Sequence, residues 1–151
     1  MAKNTIKLKK YSDVIEEFVA NAAITPGHLV ELMSTGKVKK HATAGGNVAP
    51  IMFALEDSMQ GYGIDDDYDA LDPAQIWLPH PGDEVYAILA DDNDVAIGDL
   101  LESAGDGTLR KHGVDSTGAY YLRAIVAVAI EAVDTTGSPA ATTSRIKVKI
   151  I

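Results

Sequence analysis

A stretch of fifteen residues occurs twice in this chain, at residues 27–41 and 98–112, and the copies align without a gap at an offset of 71. Each copy has a glycine at its start, a glycine in its middle and a Lys-His pair at its end. Both middles have turn composition, and glycine there takes positive φ without steric cost. A helix is disfavoured, since a central glycine costs about 1 kcal/mol relative to alanine. The pattern predicts two β-hairpins related by internal duplication; chance similarity between glycine-turn hairpins is the alternative.

Most of the remaining chain also predicts short strands separated by Gly, Pro and Asp turns. Residues 145–151 alternate charged and apolar side chains, which is typical of a half-buried strand. Residues 13–23 fit helix or strand, and their β-branched Val14, Ile15 and Val19 favour strand. Further strands are predicted within residues 50–56, 75–78 and 84–89, with a long central strand over 119–133 and a surface loop over 59–73. We therefore expect a mainly β fold, with residues 12–151 forming a single compact β-barrel or β-sandwich domain of short antiparallel strands.

Residues 1–11 are predicted to be an extended N-terminal arm. Ile6 and Leu8 alternate there with Lys7 and Lys9, which is the period of two expected of a strand. Such a segment can pair with the edge of its own sheet or with that of a partner. The alternating segment 145–151 offers the same possibility at the other end of the chain.

Charge and composition exclude several classes of protein. The net charge is −9, and fifteen of the 22 acidic residues lie between residues 56 and 106. Nucleic-acid binding is disfavoured, because it depends mainly on neutralising phosphates. The chain has no cysteine, so it has no disulfide and no cysteine zinc site. The longest apolar run is far shorter than the roughly 20 residues of a membrane helix, and no signal peptide is evident. We expect a soluble protein without membrane association.

Two kinds of chemistry can be weighed from residue types. The acidic runs 65–69 and 91–94 supply oxygen ligands for calcium but lack EF-hand spacing, so solvated loops are favoured. The four histidines belong to no known hydrolase motif, and no phosphate-binding glycine loop precedes a helix. The sequence predicts no cofactor, no metal and no enzymatic activity. A hydrolase using His80 with a nearby aspartate is the remaining catalytic alternative.

Several turn-and-strand motifs resemble the decoration (cement, head-stabilising) proteins of tailed-bacteriophage capsids. These motifs, within residues 23–133, are ITPGHLVE at 24–31, APIMFALED at 49–57, GYGI at 61–64, PGDEVYA at 81–87 and IGDLL at 97–101. The resemblance implies a small β-rich, non-enzymatic structural protein made in the host cytoplasm and bound to the outer surface of the virion capsid. It would clamp neighbouring subunits of the major capsid protein as a homo-oligomer, either trimer or dimer.

The resemblance also implies which residues contact the shell. By position, that role falls to the N-terminal arm; the C-terminal strand is added as a contact because its alternation would let it pair with another sheet. The expected contacts are Lys3, Ile6, Leu8, Lys9, Tyr11, Ile146, Val148 and Ile150. The alternative function is a β-barrel glycan- or peptide-binding module for host-surface adhesion, using Trp77, Tyr62, Tyr68 and the acidic loops.

Overall fold

The computed structural model describes residues 2–11, 13–113, 123–137 and 144–151, and they confirm a mainly β fold. One turn of 3-10 helix lies at Ser58–Gln60, and no helix in the described part is long and apolar enough to span a membrane. The strands are β1 (Lys7–Lys9), β2 (Ile15–Val19), β3 (Val30–Leu32), β4 (Val38–Lys40), β5 (Phe53–Ala54), β6 (Pro73–Trp77), β7 (Glu84–Leu89), β8 (Asp94–Val95), β9 (Leu100–Ser103), β10 (Leu109–Lys111), β11 (Ile125–Ala129), β12 (Val133–Asp134) and β13 (Ser144–Ile150).

Five strands of the second half close into a barrel. β13 lies between β7 and β11, β9 lies between β11 and β10, and all four of these pairings are antiparallel. β10 then returns to β7 in parallel, with Leu109 opposite Leu89. The alternating side chains of β7 and β13 place one apolar face inside the ring. Of the two predicted architectures, barrel and sandwich, the structure has the barrel.

The first half repeats this ring with five other strands. β6 lies between β2 and β5, and β3 forms a hairpin with β4. A bridge between Leu29 and Phe53 joins β5 to the strand that leads into β3. β4 then reaches the end of β2 in parallel, with Val38 opposite Ala20. The order of strands around this ring is the same as in the second half.

The two rings also agree in register. The pairing of β3 with β4 becomes that of β9 with β10 when 71 residues are added to each position. The pairing of β2 with β6 becomes that of β7 with β13 at offsets of 69 and 72 residues. Matching backbone hydrogen bonds are His41 N–H to Leu29 O (2.9 Å) with His112 N–H to Leu100 O (2.7 Å), and Asn21 N–H to Val38 O with Ala90 N–H to Leu109 O (both 2.8 Å). The hairpins thus belong to a larger structural repeat, whose origin by duplication stays a prediction.

Two apolar clusters fill the rings, and one of them also joins the rings to each other. One fills the first ring around Ile24, Val30 and Ile76. The other fills the second ring and also includes Phe53 and Trp77 from the outer face of the first, both fully buried. Burying large apolar side chains contributes about 1.5–3 kcal/mol each, so this shared cluster joins the rings into one body.

The N-terminal segment is not a free arm over its described length. β1 pairs antiparallel with β7, and the Tyr86 N–H donates to the Ile6 carbonyl at 2.8 Å. The Ile6 side chain is fully buried in the core of the second ring. The carboxylate of Glu56 accepts hydrogen bonds from the Thr5 hydroxyl and the Ile6 N–H. Of the two pairings considered for this segment, β1 has the one with its own sheet, so it is part of the folded body, and a separate extended arm is not confirmed.

Two predicted strands are shorter in the structure. Within the predicted 119–133 strand, β11 and β12 are separated by a bend at 130–131, and residues 119–122 lie outside the described residues. The bend occurs where the Glu131 carboxylate accepts the Lys147 N–H of β13 at 2.8 Å. Within predicted 50–56, only β5 is strand, and Glu56 after it contacts the residues before β1 through its carboxylate. Small rings of short strands require such early turns.

Candidate partner-binding surfaces

The N-terminal surface consists of the exposed side chains around β1. Lys3, Lys9 and Tyr11 are exposed and Leu8 is half-buried, so these four predicted contact residues are accessible. The Lys9 ammonium lies 5.8 Å from the centre of the Tyr11 ring, a cation–π distance. The Tyr11 N–H donates to the buried Asp83 carboxylate at 2.6 Å, which fixes the backbone at this position.

The aliphatic residues of the C-terminal strand face the interior of the barrel. Ile146, Val148 and Ile150 point into the barrel, as Ile6 does, and are buried. These four predicted contact side chains cannot touch a partner in this conformation. β13 also has neighbours on both sides, so it offers no free edge. Period-two alternation identified a half-buried strand correctly. It could not tell whether the apolar face of the strand packs against the chain's own core or against a partner.

A buried polar network lies between the two halves. The His41 ring places Nδ1 2.7 Å from the Ser103 hydroxyl and Nε2 3.2 Å from the Asn47 carbonyl. The Glu31 carboxylate is 3.6 Å from His41 Nε2. This Ser-His-Glu arrangement resembles a hydrolase triad, yet Ser103 is fully buried, so a substrate cannot reach its hydroxyl. The network satisfies buried polar atoms and ties β9 to the end of the first hairpin.

The matching position of the second hairpin carries a stronger charged cluster. The buried Glu102 carboxylate accepts hydrogen bonds from Arg110 Nε at 2.8 Å and Nη2 at 2.7 Å. Its other oxygen lies 2.6 Å from His112 Nδ1. In the first hairpin, Lys39 pairs with Glu31 at 3.0 Å on a more exposed surface. Charge-assisted hydrogen bonds are stronger than neutral ones, and the Glu102 carboxylate is less exposed than that of Glu31, so we expect the second hairpin to gain more from its charged cluster.

Asp83, three residues after His80, is the aspartate that its backbone brings to the predicted hydrolytic histidine. Asp83 is fully buried, and its two oxygens accept the N–H groups of Tyr11 and His80 at 2.6 and 2.8 Å. Because Asp83 is fully buried, a substrate cannot reach its carboxylate in this conformation. The structure therefore gives Asp83 a structural role at the linker between the two rings.

The acidic loop 65–69 lines an open cavity of about 390 Å³ near Tyr62 and Tyr68. No group of three or more His, Asp or Glu side chains in the described part of the chain is arranged to hold a metal ion. Trp77 is fully buried, and Tyr68 is buried with its hydroxyl donating to the Leu55 carbonyl at 2.8 Å. Burial raises the pKa of Tyr68 to about 12. Of the three aromatic residues expected to stack on a glycan, only Tyr62 is exposed.

An uncovered strand edge at β2 was missed by the sequence interpretation. Ile15 and Val19 on β2 remain 38% and 40% exposed, and Glu16 and Glu17 lie between them in the solvent. The available signal was the Glu-Glu pair inside a β-branched segment, which is unusual in a strand that has neighbours on both sides. This edge is a second candidate surface, separate from the N-terminal surface.

The comparisons with known proteins bear on the fold. No protein-family model matches the chain, and no curated protein is significantly similar to it. Among solved structures, the chain is similar to the head fiber gp8.5 N base of bacteriophage phi29, with a TM-score of 0.57. The similarity covers 93% of this chain and 95% of that chain at 14% sequence identity. The two therefore share a mainly β fold along nearly their whole lengths.

Proposed function

We propose that this chain is a structural protein of a tailed-phage head. It binds the outer surface of the assembled shell, contacts the major capsid protein and clamps neighbouring subunits as a trimer or dimer. The observation that carries the proposal is the likeness to a phage head fiber base, which spans 93% of the chain. The capsid-protein resemblance of the sequence motifs points to the same class of virion protein.

The surface chemistry supports a binding role without catalysis. The Ser103 hydroxyl and the Asp83 carboxylate, which are the nearest approaches to catalytic groups, are both fully buried. The exposed surface near β1 combines Lys3, Lys9 and Tyr11, a mixture of cationic and aromatic groups that suits an acidic or mixed protein surface. Several weak contacts per oligomer would reinforce one another on a lattice through effective concentrations on the order of mM.

Co-sedimentation with empty, expanded phage shells tests the proposal. We expect saturable binding at a fixed ratio of this chain to the major capsid protein. The combined change Lys3→Glu, Lys9→Glu and Tyr11→Ala should weaken binding at least tenfold, because all three side chains are exposed near β1. Deleting residues 1–11 is a poorer test, since it would also remove the buried Ile6.

The matched control is Lys37→Glu, which changes a basic residue in the turn of the first hairpin, away from β1. Equal weakening by the control would show that total charge, and not the surface near β1, accounts for the weaker binding. Absence of co-sedimentation by the unchanged protein at any concentration would refute the shell-binding role.

A further inference from the structure

The backbone of β2 has hydrogen-bonding groups that no described residue satisfies. The Leu78 N–H donates to the Val14 carbonyl at 2.9 Å, and the Ala20 N–H donates to the Asp72 carbonyl at 2.8 Å. Successive residues of an antiparallel strand direct their N–H and C=O groups to opposite sides, so the even-numbered residues face β6. The backbone groups of Ile15 and Glu17 therefore point away from β6, where the described chain supplies no neighbouring strand; β4 meets this side of β2 only at its end, at Ala20.

The equivalent edge in the second ring is covered. β7 corresponds to β2 at an offset of 69 residues, which places Tyr86 at the position of Glu17. The Tyr86 N–H donates to Ile6 of β1, and the Ile88 N–H donates to the Gly27 carbonyl at 3.2 Å. Four of the six β7 side chains are buried, whereas four of the five on β2 are exposed. One ring thus has an added strand, and the other has the same edge without one.

The covering strand shows what chemistry fits such an edge. β1 places the aliphatic Ile6 and Leu8 in alternation with Lys7 and Lys9. The β2 edge carries Glu16 and Glu17, which favour a cationic strand and oppose the pairing of two β2 edges, since like charges would then face each other. A shallow groove of about 310 Å³ runs from β2 across Gln75 of β6 to the residues after β5, and Ile15, Glu17, Glu56 and Lys7 are among the residues that line it.

We infer that the β2 edge accepts an extended segment of a partner protein, in which aliphatic residues alternate with lysine or arginine, as an added strand. The inference rests on the proposed function and deepens it, by naming the segment through which a shell protein attaches. The β1 strand of a second copy is a weaker occupant, because withdrawing it would expose its fully buried Ile6. Main-chain hydrogen bonds supply the affinity in such strand addition, and alternate side chains supply the specificity.

The probe is a fluorescently labelled peptide with the sequence of residues 2–11, AKNTIKLKKY, titrated into the full chain and followed by anisotropy. We expect saturable binding, weakened at least tenfold by Glu17→Pro, which removes the N–H that an added strand must engage. Glu17→Ala is the matched control; it keeps that N–H and should weaken binding less. A peptide with its lysines replaced by glutamate should fail to bind.

Two N-methylated peptides keep the test independent of how the proline variant folds. Methyl groups on alternate amides block one edge of the peptide at a time, so one version should lose binding to the unchanged protein and the other should retain it. Equal binding by both versions, binding unaffected by Glu17→Pro, or no binding at 1 mM peptide would overturn the inference. If the unchanged protein forms dimers and Glu17→Pro makes them monomeric, the edge binds a second copy of the chain. That result would overturn the assignment to a partner protein.

The shell assay separates this inference from the proposed function. Peptide binding at β2 without shell co-sedimentation would refute the role at the phage head and keep the strand-accepting edge. Shell co-sedimentation that Glu17→Pro leaves unchanged would refute the edge as the attachment point and keep the role at the head.

Discussion

His28 makes the stability of the first ring depend on pH, and replacing it with asparagine should remove that dependence. The Thr25 N–H donates to His28 Nδ1 at 3.0 Å, so this nitrogen must be unprotonated in the folded protein. At the equivalent position of the second half, Asp99 accepts the Ala96 N–H at 2.8 Å through a carboxylate oxygen. An asparagine at position 28 can accept the same hydrogen bond without titrating.

Burial is the main reason that His28 resists protonation, and the positive charge of Lys40 adds to it. Together they lower the pKa of His28 from 6.5 to about 4. Between these two values the unfolded chain binds a proton that the folded chain does not, so the free energy of unfolding falls as the pH falls. At 1.36 kcal/mol per pKa unit, the loss from pH 7 to pH 4 is about 3 kcal/mol.

Urea unfolding at pH 7 and pH 4 measures this effect. With a slope of about 2 kcal/mol per M, the unchanged protein should lose roughly 1.5 M more in its midpoint over this range than His28→Asn. Carboxylates with a lowered pKa, such as Asp99 and Asp134, lose their contribution to stability as the pH falls below about 3.8. They do so equally in both proteins, so the difference between the two midpoint shifts does not include their effect. Equal midpoint shifts in the two proteins would refute the assignment of the pH dependence to His28.

Three further predictions use urea unfolding and the structural repeat as an internal control. Gly27→Ala should destabilise by about 1–3 kcal/mol more than Gly98→Ala, because both positions have positive φ but only at 27 would a Cβ lie 2.4 Å from a guanidinium nitrogen. Glu102→Ala should cost about 1–3 kcal/mol, and Glu31→Ala less than about 1 kcal/mol, because only Glu102 is buried, with Arg110 and His112 both paired to it. Ile6→Ala should cost about 2–5 kcal/mol, since its side chain is fully buried.

Each pair has a contradicting outcome. Equal costs at the two glycines would show that backbone conformation, and not the close approach to β13, sets the penalty. A larger cost at Glu31 than at Glu102 would contradict the burial argument. An Ile6→Ala protein as stable as the unchanged one would mean that β1 contributes nothing to the core and is an arm after all.

The sequence by itself determined the local β structure. Glycine-centred turns between short apolar strands predicted the hairpins that β3–β4 and β9–β10 form, in equivalent registers. Period-two alternation predicted β13 and the strand in β1, because a strand directs successive side chains to opposite faces whatever its neighbours are. The resemblance to phage head proteins also agrees with the fold shared with the head fiber base.

Only the tertiary structure decided which apolar faces are buried and which edges stay open. Ile6 and the aliphatic residues of β13 have the alternation of adhesive strands, yet ring closure turns them into core. β2 and β7 occupy equivalent places with different sequences, and β1 covers the edge of β7 but not that of β2. Strands pair through backbone N–H and C=O groups, and every residue except proline has both. Which strand becomes the neighbour of another therefore depends on how distant segments close the ring, and the local sequence does not specify it.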